Sequence, residues 1–179
     1  MAENDCSFSD LDAVAFGQGP GSFTGLRIAA GVAQGIAFGA GIPVVPVSSL
    51  AAMAIQVPDA DDLIFASLDA KIDEVYWGFY RRAGDSVTLV EEEGLCRPED
   101  LPVEMPAGAM ALTGVGSGLA FLERMPGLYQ EKINRSMADC YPRAGAIAAL
   151  AVLGFEMGLY LAPEDVTPVY LRDKVTHNR

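Results

Sequence analysis

The residues best suited to bind a charged group lie in one glycine-rich stretch, residues 17–27. The stretch holds four glycines, one proline and two hydroxyl side chains, between an apolar run typical of a strand and one typical of a helix. Glycine accepts positive φ and close approach, and the first turn of a helix has unpaired amides at the positive end of its dipole. We therefore predict a loop that binds an anion or the backbone of another chain. The residues assigned to this loop are Gly19, Gly21, Ser22, Thr24, Gly25 and Arg27.

Three known loop types do not fit this stretch. A Walker A loop needs a lysine directly after its last glycine, where this chain has Leu26. A dinucleotide-binding fingerprint needs a glycine where the chain has Ser22. A nucleophile elbow needs a serine in place of Phe23, and the single histidine, His177, lies near the C-terminus. The alternative, which the spacing alone favours, is a tight strand-to-helix connection with Ser22 or Thr24 as the N-cap of the helix.

A second candidate is a group of carboxylates close together in the sequence, Asp69, Asp73 and Glu74. Neighbouring carboxylates can hold Mg²⁺ against phosphate groups. The alternative, which we favour, is the hydrophilic turn of a β-hairpin. The sequence has no Cys/His cluster with the spacing of a zinc site, and we predict neither a catalytic residue nor a resident metal.

The composition narrows the choice of partner. Of 179 residues, 24 are acidic and 12 are basic, which gives a formal net charge of −12 at pH 7. A chain this acidic repels a phosphate backbone, which disfavours binding of nucleic acid by this chain alone. Hydrophobic residues make up 51% of the chain, which indicates a large core, a large apolar interface, or both.

Three features favour a cytoplasmic location. The cysteines Cys6, Cys96 and Cys140 are far apart, as expected of reduced thiols. The first ten residues are polar and acidic, unlike a signal peptide. The apolar stretch 28–47 contains a central glutamine and two prolines, so we do not expect it to span a membrane.

Hydrophobic patterning predicts the elements that hold these residues. The predicted strands cover residues 13–16, 42–47, 63–68, 74–81, 87–90 and 110–113. The predicted helices cover residues 23–39, 50–55, 98–101, 119–124 and 144–161. Strands alternate with helices, which indicates the α/β class. Residues 57–62 are polar and form the best boundary, so we divide the chain into residues 1–58 and 59–179.

The helix predicted over 23–39 has a face of small residues. Gly31, Gly35 and Gly39 recur at every fourth position, and small side chains let another element approach closely. We assign these glycines to a helix packing face. Tight packing against the chain's own sheet is the interpretation that we favour, and a helix–helix contact with another protein is the alternative.

The run GPGSFTGLR at residues 19–27 closely resembles the signature of the TsaB (YeaZ-type) family. The resemblance continues, in order, over nearly the whole chain. The further matching segments are Ala-Gln-Gly at 33–35, Val-Ser-Ser-Leu at 47–50, Asp-Ala-Lys at 69–71 with Glu-Val-Tyr-Trp at 74–77, Tyr-Pro-Arg-Ala at 141–144 and Pro-Val-Tyr-Leu-Arg at 168–172. Lys71 is a mild departure, because relatives more often have arginine there.

The resemblance implies a fold of the actin-like ATPase and sugar-kinase superfamily, with two lobes that are each built on an RNase H-like sheet. Residues 1–58 would belong to the N-terminal lobe and residues 59–179 to the C-terminal lobe. In this fold Gly114 and Gly116 resemble the loop on the nucleoside side. Together with Asp69 and Glu74 they would form a vestigial nucleotide or metal turn.

Relatives begin with a strand that carries an Asp-Thr-Ala-Thr-like turn, followed by two further strands and a helix. This sequence shows no counterpart before the strand predicted at 13–16. We therefore expect a family member that lacks the N-terminal segment and a first lobe that is incomplete.

The function that the resemblance implies is that of a non-catalytic scaffold or dimerization subunit. The complex forms threonylcarbamoyladenosine next to the anticodon of tRNA. A TsaD-like subunit would carry the catalysis, and a TsaE-like ATPase would join the complex. A homodimer is a further option, and tRNA would be contacted only through the complex. No cofactor of this chain is implied, although ATP, ADP or Mg²⁺ at a subunit junction stays open.

The second hypothesis is a nucleotide-dependent phosphotransferase or ATPase of the same superfamily, which predicts ATP binding in the millimolar range or tighter. A peptidase, suggested by the older naming of relatives as glycoproteases, is disfavoured, since the sequence offers neither a nucleophile–base pair nor a set of zinc ligands.

Overall fold

The structure, a computed structural model, describes residues 7–58 and 63–172. The strands are β1 (Val14–Gly19), β2 (Val44–Ser48), β3 (Leu63–Lys71), β4 (Glu74–Ala83), β5 (Ser86–Leu89), β6 (Gly94–Cys96), β7 (Leu112–Val115) and β8 (Ile133–Met137). The α-helices are α1 (Phe23–Ala40), α2 (Ser49–Ala54), α3 (Gly127–Lys132) and α4 (Ala144–Glu156). No helix in the described ranges is long and apolar enough to cross a membrane.

The first sheet pairs β1 and β2 in parallel and has a helix layer on each face. On one face Phe16 and Val44 pack against the alanine side of α1. On the other face Val45 and Val47 pack against α2 and α4. A parallel pair needs a crossover between its strands, and α1 provides it, which is why both faces of this small sheet are covered.

Helix α1 begins and ends where its sequence dictates. The Ser22 side chain accepts a hydrogen bond from the Gly25 amide at 3.5 Å, which makes Ser22 the N-cap. At the other end Gly41 has a φ of 69° and its amide bonds to the Ala37 carbonyl, a left-handed C-terminal cap. The buried stripe of the helix consists of Leu26, Ala30, Ala33 and Ala37.

The second sheet has the strand order β5-β4-β3-β7-β8, with β6 pairing against β4. Strands β3, β4 and β5 form an antiparallel meander, whereas β7 and β8 run parallel to β3. Phe65 and Phe79 lie opposite each other across the β3–β4 pair and pack on Tyr129, with ring centroids of Phe65 and Tyr129 4.9 Å apart. The opposite face packs on Leu50 and Met53 of α2, so this short helix joins both sheets.

The segment after α4 returns along the first sheet and ends beside the β3–β4 hairpin. Leu161 exchanges two backbone hydrogen bonds with Val44 at the outer edge of β2. Further on, the Val169 amide donates to the Gln18 carbonyl at the end of β1, at 2.8 Å. The side chain of Arg172 then reaches the hairpin. We call residues 159–172 the return segment.

Several sequence predictions are confirmed and some are corrected. The predicted strand at 13–16, the helix at 23–39 and the hairpin at 63–81 are present with small changes of bounds. The helix predicted over 144–161 stops at Glu156, because Gly158 adopts a φ of 76° that ends it. The sequence analysis missed strands β6 and β8 and helix α3. Strand β8 is a polar strand at the edge of the sheet and lacks the alternation that marks a half-buried strand.

The division into residues 1–58 and 59–179 stays a prediction. The change from the first sheet to the second does fall between β2 and β3, and residues 59–62 of the predicted boundary lie outside the described ranges. Helix α4, from the C-terminal part of that division, packs against the first sheet. The chain therefore crosses between its two sheets more than once.

Candidate functional site

The glycine-rich loop connects β1 to α1, and part of it serves the chain's own packing. Gly19 has a φ of 120°, and a Cβ atom there would lie 2.7 Å from the Val169 carbonyl oxygen of the return segment. Gly21 and Gly25 meet only ordinary contacts at 3.6 Å or more. Of the residues that we assigned to this loop, Gly19 is therefore required by the fold. A binding role for the others stays a prediction.

Arg27, an exposed residue in the first turns of α1, contacts two aromatic side chains. Its guanidinium carbon lies 4.0 Å from the centroid of the Phe23 ring, and its Nε donates to the Tyr170 hydroxyl at 3.2 Å. The rings of Phe23 and Tyr170 are themselves in contact, with centroids 5.4 Å apart. Within residues 7–58 and 63–172 no carboxylate pairs with Arg27. Thr24, one position after Phe23, is exposed.

This arrangement forms one wall of a cleft of about 620 Å³. The loop and α1 supply the first wall, the β3–β4 hairpin supplies the second and the return segment closes the third side. Three of the lining residues are basic, in a chain with a formal net charge of −12. The residues that contribute side-chain charge or rings to the cleft are Phe23, Arg27, Asp69, Lys71, Tyr76, Tyr170 and Arg172.

The hairpin carboxylates are engaged with basic side chains. Asp69 accepts from the Lys71 ammonium at 2.5 Å and from the Lys71 amide at 2.8 Å. Burial raises the pKa of Asp69, but these hydrogen bonds outweigh it and hold the pKa below its ordinary value. Glu74 accepts a hydrogen bond from Arg172, which also donates to the Ala70 carbonyl at 3.1 Å.

The tip of the hairpin has an uncommon backbone. Lys71, Ile72 and Asp73 all have positive φ, at 64°, 54° and 59°. Non-glycine residues rarely adopt this region, and a β-branched residue such as Ile72 least of all. The ion pair of Asp73 with Arg124, at 2.9 Å, and the Asp69–Lys71 contacts hold the tip in place.

Gly114 and Gly116, the other two residues of the predicted nucleotide or metal turn, are packed against the chain itself. Gly116 has a φ of 97°, and a Cβ atom there would lie 2.3 Å from the Ser67 carbonyl oxygen. A Cβ atom on Gly114 would meet Leu119 at 3.0 Å. In the described part of the chain no three acidic, histidine or cysteine side chains are arranged to hold a metal ion. A nucleotide or metal role for the four residues stays a prediction.

The glycine face of α1 does not pack against the sheet, so the interpretation that we favoured for Gly31, Gly35 and Gly39 is wrong. A Cβ atom at any of the three would meet nothing within 4 Å. The buried side of α1 is its alanine stripe, because the sheet selects the face with methyl groups to bury. The exposed side also carries Val32, 56% exposed, and Phe38, 62% exposed. We call the residues Gly31, Val32, Gly35, Phe38 and Gly39 the glycine ridge.

A polar network between the two sheets was missed in the sequence. Ser48, the N-cap of α2, and the Tyr80 hydroxyl both donate to the same carboxylate oxygen of Glu93. Tyr80 is buried, and burial together with the negative charge of Glu93 raises its pKa well above the ordinary tyrosine value. The sequence suggested only a solvated acidic patch at Glu91 to Glu93. No local signal distinguishes Glu93 from its neighbours.

The second sheet, with its antiparallel meander followed by parallel strands, and the parallel first sheet with helices on both faces define the actin-like, RNase H-like class of α/β proteins. The cleft lies between the glycine-rich loop and the β3–β4 hairpin. A family model described as "TsaD: tRNA N6-adenosine threonylcarbamoyltransferase" matches residues 1–152. Two curated relatives share the name "tRNA threonylcarbamoyladenosine biosynthesis protein TsaB". The Escherichia coli protein is 36% identical over 98% of this chain and 77% of its own length. The Haemophilus influenzae protein is 33% identical over 98% of this chain and 76% of its own length.

A solved structure agrees with these sequence relatives. It is described as an uncharacterized protein from Pseudomonas aeruginosa with similarity to peptidase YEAZ, and it superposes with a TM-score of 0.87 at 38% identity. The match covers 96% of this chain and 78% of that one. The chain belongs to the TsaB (YeaZ-type) family, as its sequence motifs indicated.

Proposed function

We propose that this chain is a non-catalytic scaffold subunit of the complex that forms threonylcarbamoyladenosine in tRNA, and that it docks a TsaD-like catalytic subunit on the glycine ridge of α1. The names of the curated relatives support the pathway. The observation that carries the docking role is the ridge itself, an apolar helix face whose glycines meet nothing in the chain.

The glycines of the ridge are unfavourable for the isolated helix. Glycine in a helix interior destabilises it by roughly 0.5–1 kcal/mol relative to alanine. Gly31, Gly35 and Gly39 have no packing reason within the described chain, since each has open space at its Cβ position. A missing side chain lets the backbone of a second helix come close. Val32 and Phe38, on the same exposed side, would supply the apolar area that such a contact buries.

The remaining partners follow from charge. A chain with a formal net charge of −12 is poorly suited to hold tRNA by itself. We infer that tRNA is contacted through the complex, that a TsaE-like ATPase joins it and that it works in the cytoplasm. Asp69 and Glu74 are paired with Lys71 and Arg172, which supports a role for them in holding the hairpin and the return segment together rather than in catalysis.

Binding to the TsaD-like subunit of the same organism tests this proposal. The wild-type chain, Gly35→Leu and Gly145→Leu are each titrated with that subunit by isothermal titration calorimetry. Gly145 is the matched control, because it is also an exposed helical glycine with nothing within 4 Å of its Cβ position. We expect Gly35→Leu to abolish complex formation and Gly145→Leu to bind like the wild type.

A folding defect is not expected to explain a loss of binding in these variants. Leucine is a better helix former than glycine, so both variants should melt at or above the wild-type temperature. Unchanged affinity of Gly35→Leu would remove the ridge from the interface. Steady ATP hydrolysis by the chain alone, lost in Asp69→Ala, would replace the scaffold proposal by the ATPase or phosphotransferase alternative.

A further inference from the structure

We propose that the cleft beside Arg27 binds the carboxylate of one acidic side chain, supplied by the protein that docks on the glycine ridge. The inference rests on the proposed function, because it names the chemistry by which that partner is recognised at the end of α1. Three observations lead to it, and each concerns side chains that the structure describes.

The first observation is that two aromatic side chains contact Arg27 and leave its Nη atoms available to a ligand. Its guanidinium carbon lies over the Phe23 ring, 4.0 Å from the ring centroid, and its Nε donates to the Tyr170 hydroxyl. The two Nη atoms make no hydrogen bond or ion pair to a described residue. A guanidinium held by a cation–π contact and one hydrogen bond has lost rotamer freedom before a ligand arrives, so less entropy is lost when its planar fork binds one. Such a fork matches the two oxygens of a carboxylate.

The second observation is the continuity of Arg27 with the ridge. Phe23, Arg27, Gly31 and Gly35 follow one another at intervals of four residues on α1. Residues at this spacing lie on one face of a helix, one turn apart. A partner helix on Gly31 and Gly35 therefore extends towards Arg27 and the mouth of the cleft.

The third observation is the local charge. Lys71 and Arg172 line the same cleft but are paired with Asp69 and Glu74. One cation, Arg27, is thus left without a carboxylate among the described residues, which fits a singly charged group. A polyphosphate would bring several negative charges to a chain that already has a formal net charge of −12. The aromatic rings of Phe23, Tyr76 and Tyr170 provide apolar walls for the stem that carries the carboxylate.

The experiment measures the affinity for the TsaD-like subunit at low and at high sodium chloride. Wild type, Arg27→Gln, Arg27→Lys and the control Arg143→Gln are compared. Arg143 is an exposed arginine outside the cleft, so its substitution makes the same change of net charge elsewhere. We expect Arg27→Gln to weaken binding by about 10- to 100-fold at low salt and to reduce the salt dependence. The affinity of Arg27→Lys should lie between those of the wild type and Arg27→Gln, because lysine keeps the charge but lacks the planar guanidinium fork.

A fifth variant, Tyr170→Phe, tests Tyr170 as a positioning residue. It removes the hydroxyl that orients Arg27 and keeps the ring, so a loss of affinity with an unchanged salt dependence is expected. Equal loss in Arg27→Gln and Arg143→Gln would indicate general electrostatics and overturn the inference. Unchanged affinity of Arg27→Gln would overturn it as well, while the ridge proposal would stand on Gly35→Leu.

A different result would contradict the proposed function itself. A wild-type chain that does not bind the catalytic subunit at any salt concentration would overturn the scaffold proposal itself. Titration with ATP and Mg²⁺ is the remaining arm. Saturable binding of ATP that is lost in Arg27→Gln would reassign the cleft to a nucleotide and reject the carboxylate.

Discussion

Two sets of glycines in this molecule have opposite surroundings. On α1, Gly31 and Gly35 face open space, and a methyl group at either position would touch nothing. After β7, Gly116 and Gly118 are buried against Ser67, and a methyl group on Gly118 would lie 2.0 Å from the Ser67 Oγ atom. The second set is required by the fold. The first set is not, so its explanation has to come from outside the described chain.

Structural and functional glycines differ in what surrounds their Cβ positions and in their backbone conformation. A glycine that the fold requires shows a close contact or a positive φ, and Gly116 shows both. A glycine that the fold does not require destabilises its helix, and no packing contact within the isolated molecule compensates for that loss. We therefore weigh the ridge more heavily than the glycine-rich loop as a docking surface, since Gly19 of that loop belongs to the required kind.

The largest effect is expected for Gly118→Ala. The added methyl group would overlap the Ser67 side chain and approach the Ser67 carbonyl carbon at 2.9 Å, so the β3 backbone itself would have to shift. We expect a loss of about 3 kcal/mol or more in the free energy of unfolding, or failure to fold. Urea denaturation followed by circular dichroism measures it. Stability equal to that of the wild type would show that this glycine is not required.

A partial rescue sharpens this first prediction. Ser67 Oγ is buried without a hydrogen-bond partner among the described residues. Ser67→Ala removes that atom, which is the one closest to the new methyl group. The double variant Ser67→Ala/Gly118→Ala should recover part of the lost stability, because the Ser67 Cβ atom still lies 2.7 Å from the added methyl group.

The opposite sign is expected for the ridge. The double variant Gly31→Ala/Gly35→Ala should raise the free energy of unfolding by about 1–2 kcal/mol, roughly 0.5–1 kcal/mol for each position. Both methyl groups enter open space. Urea denaturation of the isolated chain measures the gain. A loss of stability would mean that the ridge is covered in the free protein and would break the comparison.

The smallest effect concerns the hairpin next to Gly116. The pKa of Asp69 is lower in the folded chain than in the unfolded one, so its ion pair contributes stability above the ordinary aspartate pKa of about 4. That contribution is lost as the pH falls through the folded-state pKa. Asp69→Asn should lower stability at neutral pH by less than about 1 kcal/mol, because Lys71 is largely exposed.

The measurement for Asp69→Asn is the difference in unfolding free energy from the wild type between pH 6 and pH 3, values chosen to bracket an aspartate pKa of about 4. We expect the difference to shrink towards acid pH. A constant difference would assign the effect to packing or to the backbone turn instead of the charge.

The sequence allowed the prediction of elements whose signals are local. Ser22, one of the two candidate caps, and the strand predicted at 74–81 each depend on a few adjacent residues, and both are present in the structure. The orientation of α1 did not follow, because both its alanines and its glycines recur at helical spacing. Which of the two faces is buried depends on the sheet beneath.

Contacts between distant residues were out of reach for a related reason. Arg27 and Tyr170 are 143 positions apart, yet their contact shapes the cleft. Glu93 reads as one of three consecutive glutamates, and only its position beside Tyr80 and Ser48 distinguishes it. Such pairings are set by the topology of the two sheets and leave no periodic trace in the sequence.

The return segment limits how the two halves of the molecule can move. Gln34 of α1 donates to the Pro163 carbonyl at 3.0 Å, the Val169 amide donates to the Gln18 carbonyl at the end of β1, and Arg172 donates to Glu74 next to the tip of the hairpin. Two of these contacts fasten the return segment to the first sheet and its helix, and Arg172 then joins the segment to the second sheet. Widening the cleft would therefore have to break the Arg172 contacts or detach the return segment from α1 and β1, and we expect the segment to resist that separation.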